Sequence, residues 1–146
     1  MSQNFKKILG IDLGTKYIGL AIGDNILKLA TGLEVIEYKN KQDFIEKLKG
    51  VILEYDINLI ILGLPLNMDG SEGPKAKEAR AIGEKIKVDL NTVVEMIDEG
   101  LTTDQAIREL HAGDGKVGKQ RDKINMIAAS IILQNYLDNL PKDISK

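Results

Sequence analysis

Acidic and amide side chains at three places in the sequence have the chemistry to hold a hard metal ion. Asp12 ends a short apolar run at residues 8–11 and precedes a glycine turn. Asp98 and Glu99 end a later predicted strand, and the segment 122–125 (DKIN) begins the last predicted helix. The chain has no cysteine and one histidine. A metal held by these groups would therefore take oxygen ligands, as Mg²⁺ and Mn²⁺ do.

The elements that must position these groups follow from hydrophobic periodicity. Residues 8–11, 17–22 and 29–38 predict three sequential antiparallel strands, and Gly14 is expected to relieve strain in the first turn. Leu59–Leu64 is continuously apolar, which predicts a central strand covered on both faces and parallel to the first. The other predicted elements are a helix over 41–55, a helix from Pro74, a strand over 92–97, a short helix ending near Gly113, and a mostly buried helix over 122–137.

This order, βββαβαβα, predicts an α/β fold with a five-stranded mixed sheet flanked by helices. If the first, fourth and fifth strands are parallel, their carboxyl ends share one edge, where open α/β sheets place ligands. Carboxylates gathered there would suit one or two divalent cations, and two-metal sites of this kind cleave phosphodiesters. Strand-end acids also form turns and cap helices, so the spacing alone leaves the metal site and the structural role both open.

Composition limits the class of protein. The length of 146 residues suits one domain over residues 1–146, and the apolar stretches are too short to span a membrane, which predicts a cytoplasmic protein. The net charge of -2 excludes a global attraction to nucleic acid, so any such contact must be local. Exposed lysines could equally be solvated surface residues. The local basic candidates are Lys75, Lys77, Arg80, Lys116, Lys119, Arg121 and Lys123.

The segment 65–73 (PLNMDGSEG) is a loop that precedes a predicted helix. At a helix N-terminus, the backbone amides of Gly70, Ser71 and Gly73 could bind a phosphate, with Asn67 orienting it. The same residues also suit a tight Asn-x-Asp-Gly turn that holds itself through side-chain to backbone hydrogen bonds. Both interpretations of the loop stay open.

Four segments, in this order and spacing, resemble the YqgF family, bacterial relatives of the Holliday junction resolvase RuvC. They are ILGIDLGTKYIGLAIGD, LIILGLPLNMDGSEGPKAKEAR, DEGLTT and KINMIAASIILQNYLD. The resemblance implies a ribonuclease H-like fold over residues 1–146 and a metal-dependent nuclease, using Mg²⁺ or Mn²⁺, that matures the 5′ end of pre-16S rRNA. Holliday junction resolution is the alternative. Pre-rRNA or branched DNA would be the partner, no membrane is implied, and a homodimer stays open.

Carried over position by position, the resemblance assigns Asp12 and Glu99 to the first two family carboxylates and Lys16 to the lysine of the opening motif. The third carboxylate of the family stands in a KxD pattern, where this chain has Lys123, Ile124 and Asn125. The resemblance therefore places Asn125 in the catalytic, metal-binding set without a charge. Gly100 also replaces a common arginine.

These departures favour weaker metal binding, because an amide oxygen can ligate a hard cation but brings no charge. Asp122 lies one helical turn before Asn125 and could supply the missing acid or cap its helix. The basic segment with Lys116, Lys119, Arg121 and Lys123 is predicted to clamp the nucleic-acid backbone. A member with weakened catalysis that still binds nucleic acid is therefore an alternative to an active nuclease.

Two further features carry less weight. The GIDLGT string also resembles the phosphate-binding turn of actin-like and Hsp70-like ATPases, but those enzymes bind nucleotide between two lobes and this chain is predicted to have one. His111 is predicted to be a surface residue.

Overall fold

Eight elements of secondary structure make up the part of the chain that the computed structural model describes, residues 5–98 and 121–140. The strands are β1 (Lys7–Leu13), β2 (Tyr17–Asp24), β3 (Thr31–Glu37), β4 (Leu59–Leu64) and β5 (Val93–Asp98). The helices are α1 (Lys41–Tyr55), α2 (Pro74–Leu90) and α3 (Arg121–Asp138). The predicted order of elements is confirmed.

The strands form one mixed sheet in the order β3-β2-β1-β4-β5. β1, β2 and β3 pair as an antiparallel meander, and β4 pairs in parallel with both β1 and β5. The carboxyl ends of β1, β4 and β5 therefore meet at one edge of the sheet, as predicted, and we call it the carboxyl edge. All six residues of β4 are buried, as its unbroken apolar sequence indicated.

The two faces of the sheet carry separate clusters of buried side chains, because successive residues of a strand point to opposite faces. One face packs against α1 and α2 through large residues such as Leu9, Leu20 and Leu62, which meet Phe44 and Leu48 of α1. The other face packs against α3. Its cluster consists of Ile8, Ala21, Leu59, Ile61, Ala129, Ile132, Leu133 and Leu137.

Helix α1 begins and ends where its sequence allows. The Asn40 side chain accepts a hydrogen bond from the Asp43 N–H at 2.8 Å, and Asp56 ends the helix with a left-handed φ of 54°. Helix α2 has Pro74 at its start, as predicted, where the missing N–H costs no helical hydrogen bond.

The predicted start of β3 at residue 29 was wrong, since the strand begins at Thr31. Gln134 of α3 accepts a hydrogen bond from Ala30 N–H and donates one to the Lys28 carbonyl, at 2.9 Å each. This clamp holds the preceding residues in a loop and leaves Leu29 66% exposed. None of the described helices is long and apolar enough to cross a membrane.

Candidate functional site

Asp12 lies on β1 at the carboxyl edge, and it is the charged side chain recorded as buried in the described part of the chain, with 7% exposure. Its partner in the antiparallel register with β2 is Gly19. Strand alternation places Asp12 on the same face of the sheet as Ile8, which packs with the α3 residues. The carboxylate is therefore held between the sheet and α3.

Gly19 explains why α3 can approach the carboxylate so closely. A Cβ atom at position 19 would overlap the carbonyl group of Asn125 and lie 2.5 Å from the Met126 nitrogen. The backbone of α3 thus rests directly on β2, in a space that only glycine leaves open. This contact sets Asn125 beside Asp12.

The side chains of Asp12 and Asn125 are hydrogen-bonded. Asn125 Nδ2 donates to Asp12 Oδ2 at 2.8 Å, and Asp12 makes at least one further interaction. Two of the three positions that the resemblance assigned to the site are therefore in direct contact, although 113 residues separate them in the sequence.

Gly14 contributes space rather than the strain relief that the sequence predicted. Among the described glycines, a positive φ is found at Gly70 and not at Gly14. The Gly14 N–H donates to the Tyr17 carbonyl at 3.0 Å, which closes the turn between β1 and β2. A Cβ at position 14 would lie 2.6 Å from Asn125 Nδ2 and would also overlap the Tyr17 carbonyl. Position 14 therefore requires glycine, because the Asn125 amide group occupies the space that a side chain at this position would fill.

The chemistry of this donor set suits a hard divalent cation. Asp12 is a carboxylate with nine-tenths of its surface buried, and carboxylate and amide oxygens are ligands of the kind that Mg²⁺ and Mn²⁺ take. Asn125 faces Asp12 with Nδ2, so the oxygen of the same amide group is the atom that would serve as a ligand. The pair carries one formal negative charge, whereas two carboxylates at the same separation would repel each other strongly without a cation. Asn125 therefore lets the pair form as a simple hydrogen bond.

β5, the outermost of the three strands that end at the carboxyl edge, ends at Asp98. Val94 and Met96 of β5 contact α2 at Gly83, so alternation places Asp98 on the α2 face and not on the face of Asp12. Glu99, the predicted second carboxylate, lies outside the described residues. Within residues 5–98 and 121–140, no three acidic, histidine or cysteine side chains gather as a metal-binding group.

The predicted basic contacts are only partly within the described region. Lys16 is exposed in the turn between β1 and β2, with its Nζ 5.8 Å from the centre of the Tyr17 ring, and Lys123 is exposed on α3. Lys16 follows Asp12 by four residues, and Lys123 precedes Asn125 by two residues on α3.

The side chains of the other basic residues that were predicted to contact the nucleic-acid backbone are not placed by the structure. Lys116 and Lys119 lie outside the described residues, as do Gly100, the predicted short helix and His111. Arg121 and Asp122 belong to α3 by their backbone, and their side chains are outside the description. Because α3 is described from Arg121 onward, Asp122 lies within the helix rather than at the N-cap position.

The loop at 65–73, which we call the β4–α2 loop, forms the predicted turn. The Gly70 N–H donates to the Asn67 carbonyl, and the Ser71 N–H donates to Asp69 Oδ1, each at 2.9 Å. Asn67 Nδ2 also donates to the Ser71 hydroxyl at 3.0 Å. These amides are engaged within the loop, which favours the turn interpretation, while phosphate binding by Asn67, Gly70 and Ser71 stays a prediction.

A salt bridge ties this loop to α2. Arg80 donates to Glu72 through Nε and Nη2, at 2.6 to 2.9 Å. The bidentate geometry is the stronger form of an arginine–carboxylate pair. Hydrogen bonds and charge from Arg80 lower the pKa of Glu72 below its ordinary value of 4.5.

Comparison with known proteins gives a family for this arrangement. Residues 6–139 match the family model described as RuvX, Holliday junction resolvase. The chain belongs to the RuvX family. Relatives of this chain carry the name "Putative pre-16S rRNA nuclease". The one from Dictyoglomus turgidum is 43% identical and covers 94% of this chain and 97% of its own length. The one from Halothermothrix orenii is 42% identical and covers 90% and 94%.

Solved structures give the fold of this RuvX-family chain. Thermus thermophilus RuvC in complex with a Holliday junction substrate superposes with a TM-score of 0.56 at 15% identity, covering 91% of this chain and 94% of that one. The Fowlpox virus resolvase with Holliday junction DNA also gives 0.56, at 17% identity, with coverage of 93% and 99%. The α/β fold of this chain is therefore the ribonuclease H-like fold of the resolvases.

One exposed residue of the loop that follows β4 at the carboxyl edge was not singled out from the sequence. Met68 stands at the tip of the β4–α2 loop and is 90% exposed. The signal was present, because Met68 is an apolar residue inside a run of turn-forming polar residues. Apolar side chains occur both inside proteins and on their surfaces, so the sequence could not show that this one is exposed.

Proposed function

We propose that this RuvX-family chain is a divalent-metal-dependent nuclease that hydrolyses RNA phosphodiester bonds in the maturation of the 5′ end of pre-16S rRNA. The observation that carries the proposal is the contact between the buried Asp12 and the partly buried Asn125, with atoms 2.8 Å apart at the carboxyl edge. The names of relatives that are 42% and 43% identical to this chain support the choice of RNA. The proposal places the protein in the cytoplasm, and a homodimer is compatible with it.

Asp12 and the amide oxygen of Asn125 would hold the cation, and we propose Glu99 as the further ligand because it directly follows the end of β5 in the sequence. Asp122 is a second candidate ligand. When bound, a Mg²⁺ or Mn²⁺ ion would supply activation of a water molecule and stabilisation of the leaving oxygen.

The neighbouring residues fix the positions of the side chains at this site and bury Asp12 from solvent. The side-chain Nδ2 of Asn125 donates to one oxygen of Asp12 and holds it in place, and the contact of α3 with Gly19 fixes the position of Asn125 itself. Burial of Asp12 lowers the local dielectric response, which strengthens its attraction for a cation. Lys16 and Lys123, with Lys116, Lys119 and Arg121, would bind the phosphates that flank the scissile bond.

The test is a cleavage assay with precursor 16S rRNA and with four-way junction DNA, each in Mg²⁺, in Mn²⁺ and with chelator. We expect metal-dependent cleavage of the RNA, and at least a thousandfold loss of rate for Asp12→Asn because the substitution removes the one charged ligand at the pair. Circular dichroism should show that Asp12→Asn keeps the native fold.

Asp89→Asn supplies the matched control, because Asp89 is a partly exposed carboxylate that pairs with Lys85 on α2. It should cleave at the parental rate. Cleavage by Asp12→Asn at the rate of the Asp89 variant would refute the metal site. Cleavage of the junction without cleavage of the RNA would favour the resolvase alternative.

A second function has one observation in its favour. Asn125 gives the pair a single negative charge, so a family member that binds nucleic acid with weakened catalysis is the alternative. The variant Asn125→Asp distinguishes the two. If the chain is a weak nuclease, this substitution should raise both Mn²⁺ affinity, measured by calorimetry, and the cleavage rate. No gain in either would favour the binding function.

A further inference from the structure

The β4–α2 loop presents an apolar tip on a rigid frame. The Asn67 N–H donates to the Ser71 carbonyl, and the Gly70 N–H donates back to the Asn67 carbonyl, at 2.9 Å each. The Ser71 hydroxyl also donates to Asp69 at 2.5 Å, and Gly70 adopts a φ of 86° that favours glycine. Because these bonds close the loop on itself, Met68 between them is held away from the body of the protein.

Met68 is the most exposed large apolar side chain in the described part of the chain, at 90% against 72% for Leu27. The residues around it, Asn67, Asp69 and Gly70, are exposed and polar or lack a side chain. An apolar docking surface for a protein needs a contiguous patch, which a single methionine does not form. A single polarisable thioether is instead suited to one flat π surface.

The base of the loop is joined to the strand that carries Asp12. Leu66 of the loop and Leu13, the residue after Asp12, pack against the same small apolar cluster. That cluster consists of Leu64, Ala76 and Ala79. The shared packing fixes the tip of the loop relative to the Asp12–Asn125 pair, so a strand bound at the pair would meet Met68 at a constant distance.

The charges around the tip suit a phosphate backbone. Asp69 is hydrogen-bonded to Ser71, and Glu72 is paired with Arg80. Lys75 and Lys77 are exposed in the first turn of α2, which contains no acidic residue. A nucleic-acid strand crossing the tip would therefore find cations beside it, while the nearby carboxylates already have partners.

We propose that Met68 is a specificity-determining wedge that packs against an unstacked base at the boundary between paired and single-stranded RNA. Proteins use apolar side chains, methionine among them, in this way to recognise or open a base step. The choice of RNA rests on the proposed function above. The wedge would select RNA in which a helix meets a free strand, and would distinguish it from a continuous duplex.

The test measures binding by the full chain carrying Asp12→Asn, so that cleavage does not interfere. Two RNAs of equal length are compared by fluorescence anisotropy in chelator: a hairpin with a single-stranded 5′ tail, and a blunt duplex. A 2-aminopurine at the boundary base reports unstacking. Met68→Ala is compared with Met68→Phe and with Leu53→Ala, since Leu53 is an exposed leucine on α1 at 68%.

We expect Met68→Ala to weaken binding of the tailed hairpin about tenfold and to leave the blunt duplex within about twofold, because only the hairpin offers an unstacked base. The 2-aminopurine signal should rise with the parent and with Met68→Phe, but not with Met68→Ala. Leu53→Ala should match the parent on both RNAs.

Equal binding of the tailed hairpin by Met68→Ala and the parent would overturn the wedge, and so would an equal loss on both RNAs. Forked and four-way junction DNA form a parallel arm, and a Met68 effect confined to DNA would overturn the assignment to RNA. If the chain with Asp12 intact cleaves RNA and only the Met68 effect is absent, the wedge alone fails. If the parent binds none of these nucleic acids, the proposed function fails together with the wedge.

Discussion

The two faces of the sheet are packed in different ways. Towards α1 and α2 the sheet presents large aliphatic side chains, which fill the space between the layers. Towards α3 it presents glycines at four positions where a Cβ would lie within 3 Å of an α3 atom or a neighbouring backbone atom. These are Gly10, Gly19, Gly23 and Gly32.

The difference separates two tasks of a small fold. Burial of large apolar side chains stabilises the protein roughly in proportion to the area removed from water, and it tolerates small shifts of a helix. Backbone contact at a glycine buries less apolar area, but it fixes the distance between the helix and the sheet. Asp12 and Asn125 lie on the glycine-lined face, where position is fixed most tightly.

The largest expected effect tests the aliphatic face. Leu48→Ala removes a side chain with 0% exposure from α1. The free energy of unfolding should fall by about 2–5 kcal/mol, because lost burial and a cavity both contribute. Urea denaturation measures this, with Leu53→Ala on the exposed side of α1 as the control. Metal affinity of the folded variant should match the parent, and a parallel loss of affinity would contradict the division between the faces.

The glycine-lined face should be sensitive to added volume rather than to removed volume. Gly19→Ala forces a Cβ into the Asn125 carbonyl, so we expect a loss of about 1–3 kcal/mol in unfolding free energy. A displacement of α3 by about 1 Å should also reduce cleavage about a hundredfold.

Gly50→Ala is the matched control for this substitution, because nothing lies within 4 Å of a Cβ at that exposed position of α1. It should raise the unfolding free energy by about 0.5–1 kcal/mol. If both alanine variants behave alike, close packing at Gly19 does not position α3.

A smaller effect is expected from charge at the tight contact. Asn125→Asp places two carboxylates within hydrogen-bonding distance, so the metal-free protein should lose about 1.4 kcal/mol, the equivalent of one pKa unit. Added Mn²⁺ should restore more stability to this variant than to the parent. Asn135→Asp, at an exposed position of the same helix, controls for charge on α3 and should show no such restoration.

The smallest effect concerns the loop on the α2 side. Because Arg80 lowers the pKa of Glu72, the stability this pair adds is present above the ordinary value of 4.5 and is lost as the pH falls through the lowered pKa. Glu72→Gln should therefore lower the melting temperature slightly at neutral pH and match the parent in acid. Glu46→Gln on α1 is the control. A difference that persists in acid would show that Glu72 acts by packing rather than by charge.

The parts of the fold that the sequence predicted are those recorded in local patterns. The unbroken apolar run of β4 and the helical period of α1 each state which residues face the core, and both were confirmed. The start of β3 was wrong because the clamp by Gln134 comes from a residue more than 100 positions away. Patterns along the chain do not contain such a contact.

The candidate site divides in the same manner. Asp12 could be singled out because it ends a buried strand before a turn. Its contact with Asn125 depends on the absence of a side chain at Gly19, and neither periodicity nor spacing relates these three residues. The resemblance supplied Asn125, and the fold supplied the reason for its position.

The contact of α3 with Gly19 also removes a constraint on the length of the segment between β5 and α3. One residue of slippage turns an α-helix by about 100°, which would carry Asn125 away from Asp12. The contact between α3 and β2 sets the rotation of the helix about its axis. The length of the segment before α3 therefore does not determine that rotation. The length of the segment between β5 and α3 can therefore change without moving Asn125 away from Asp12.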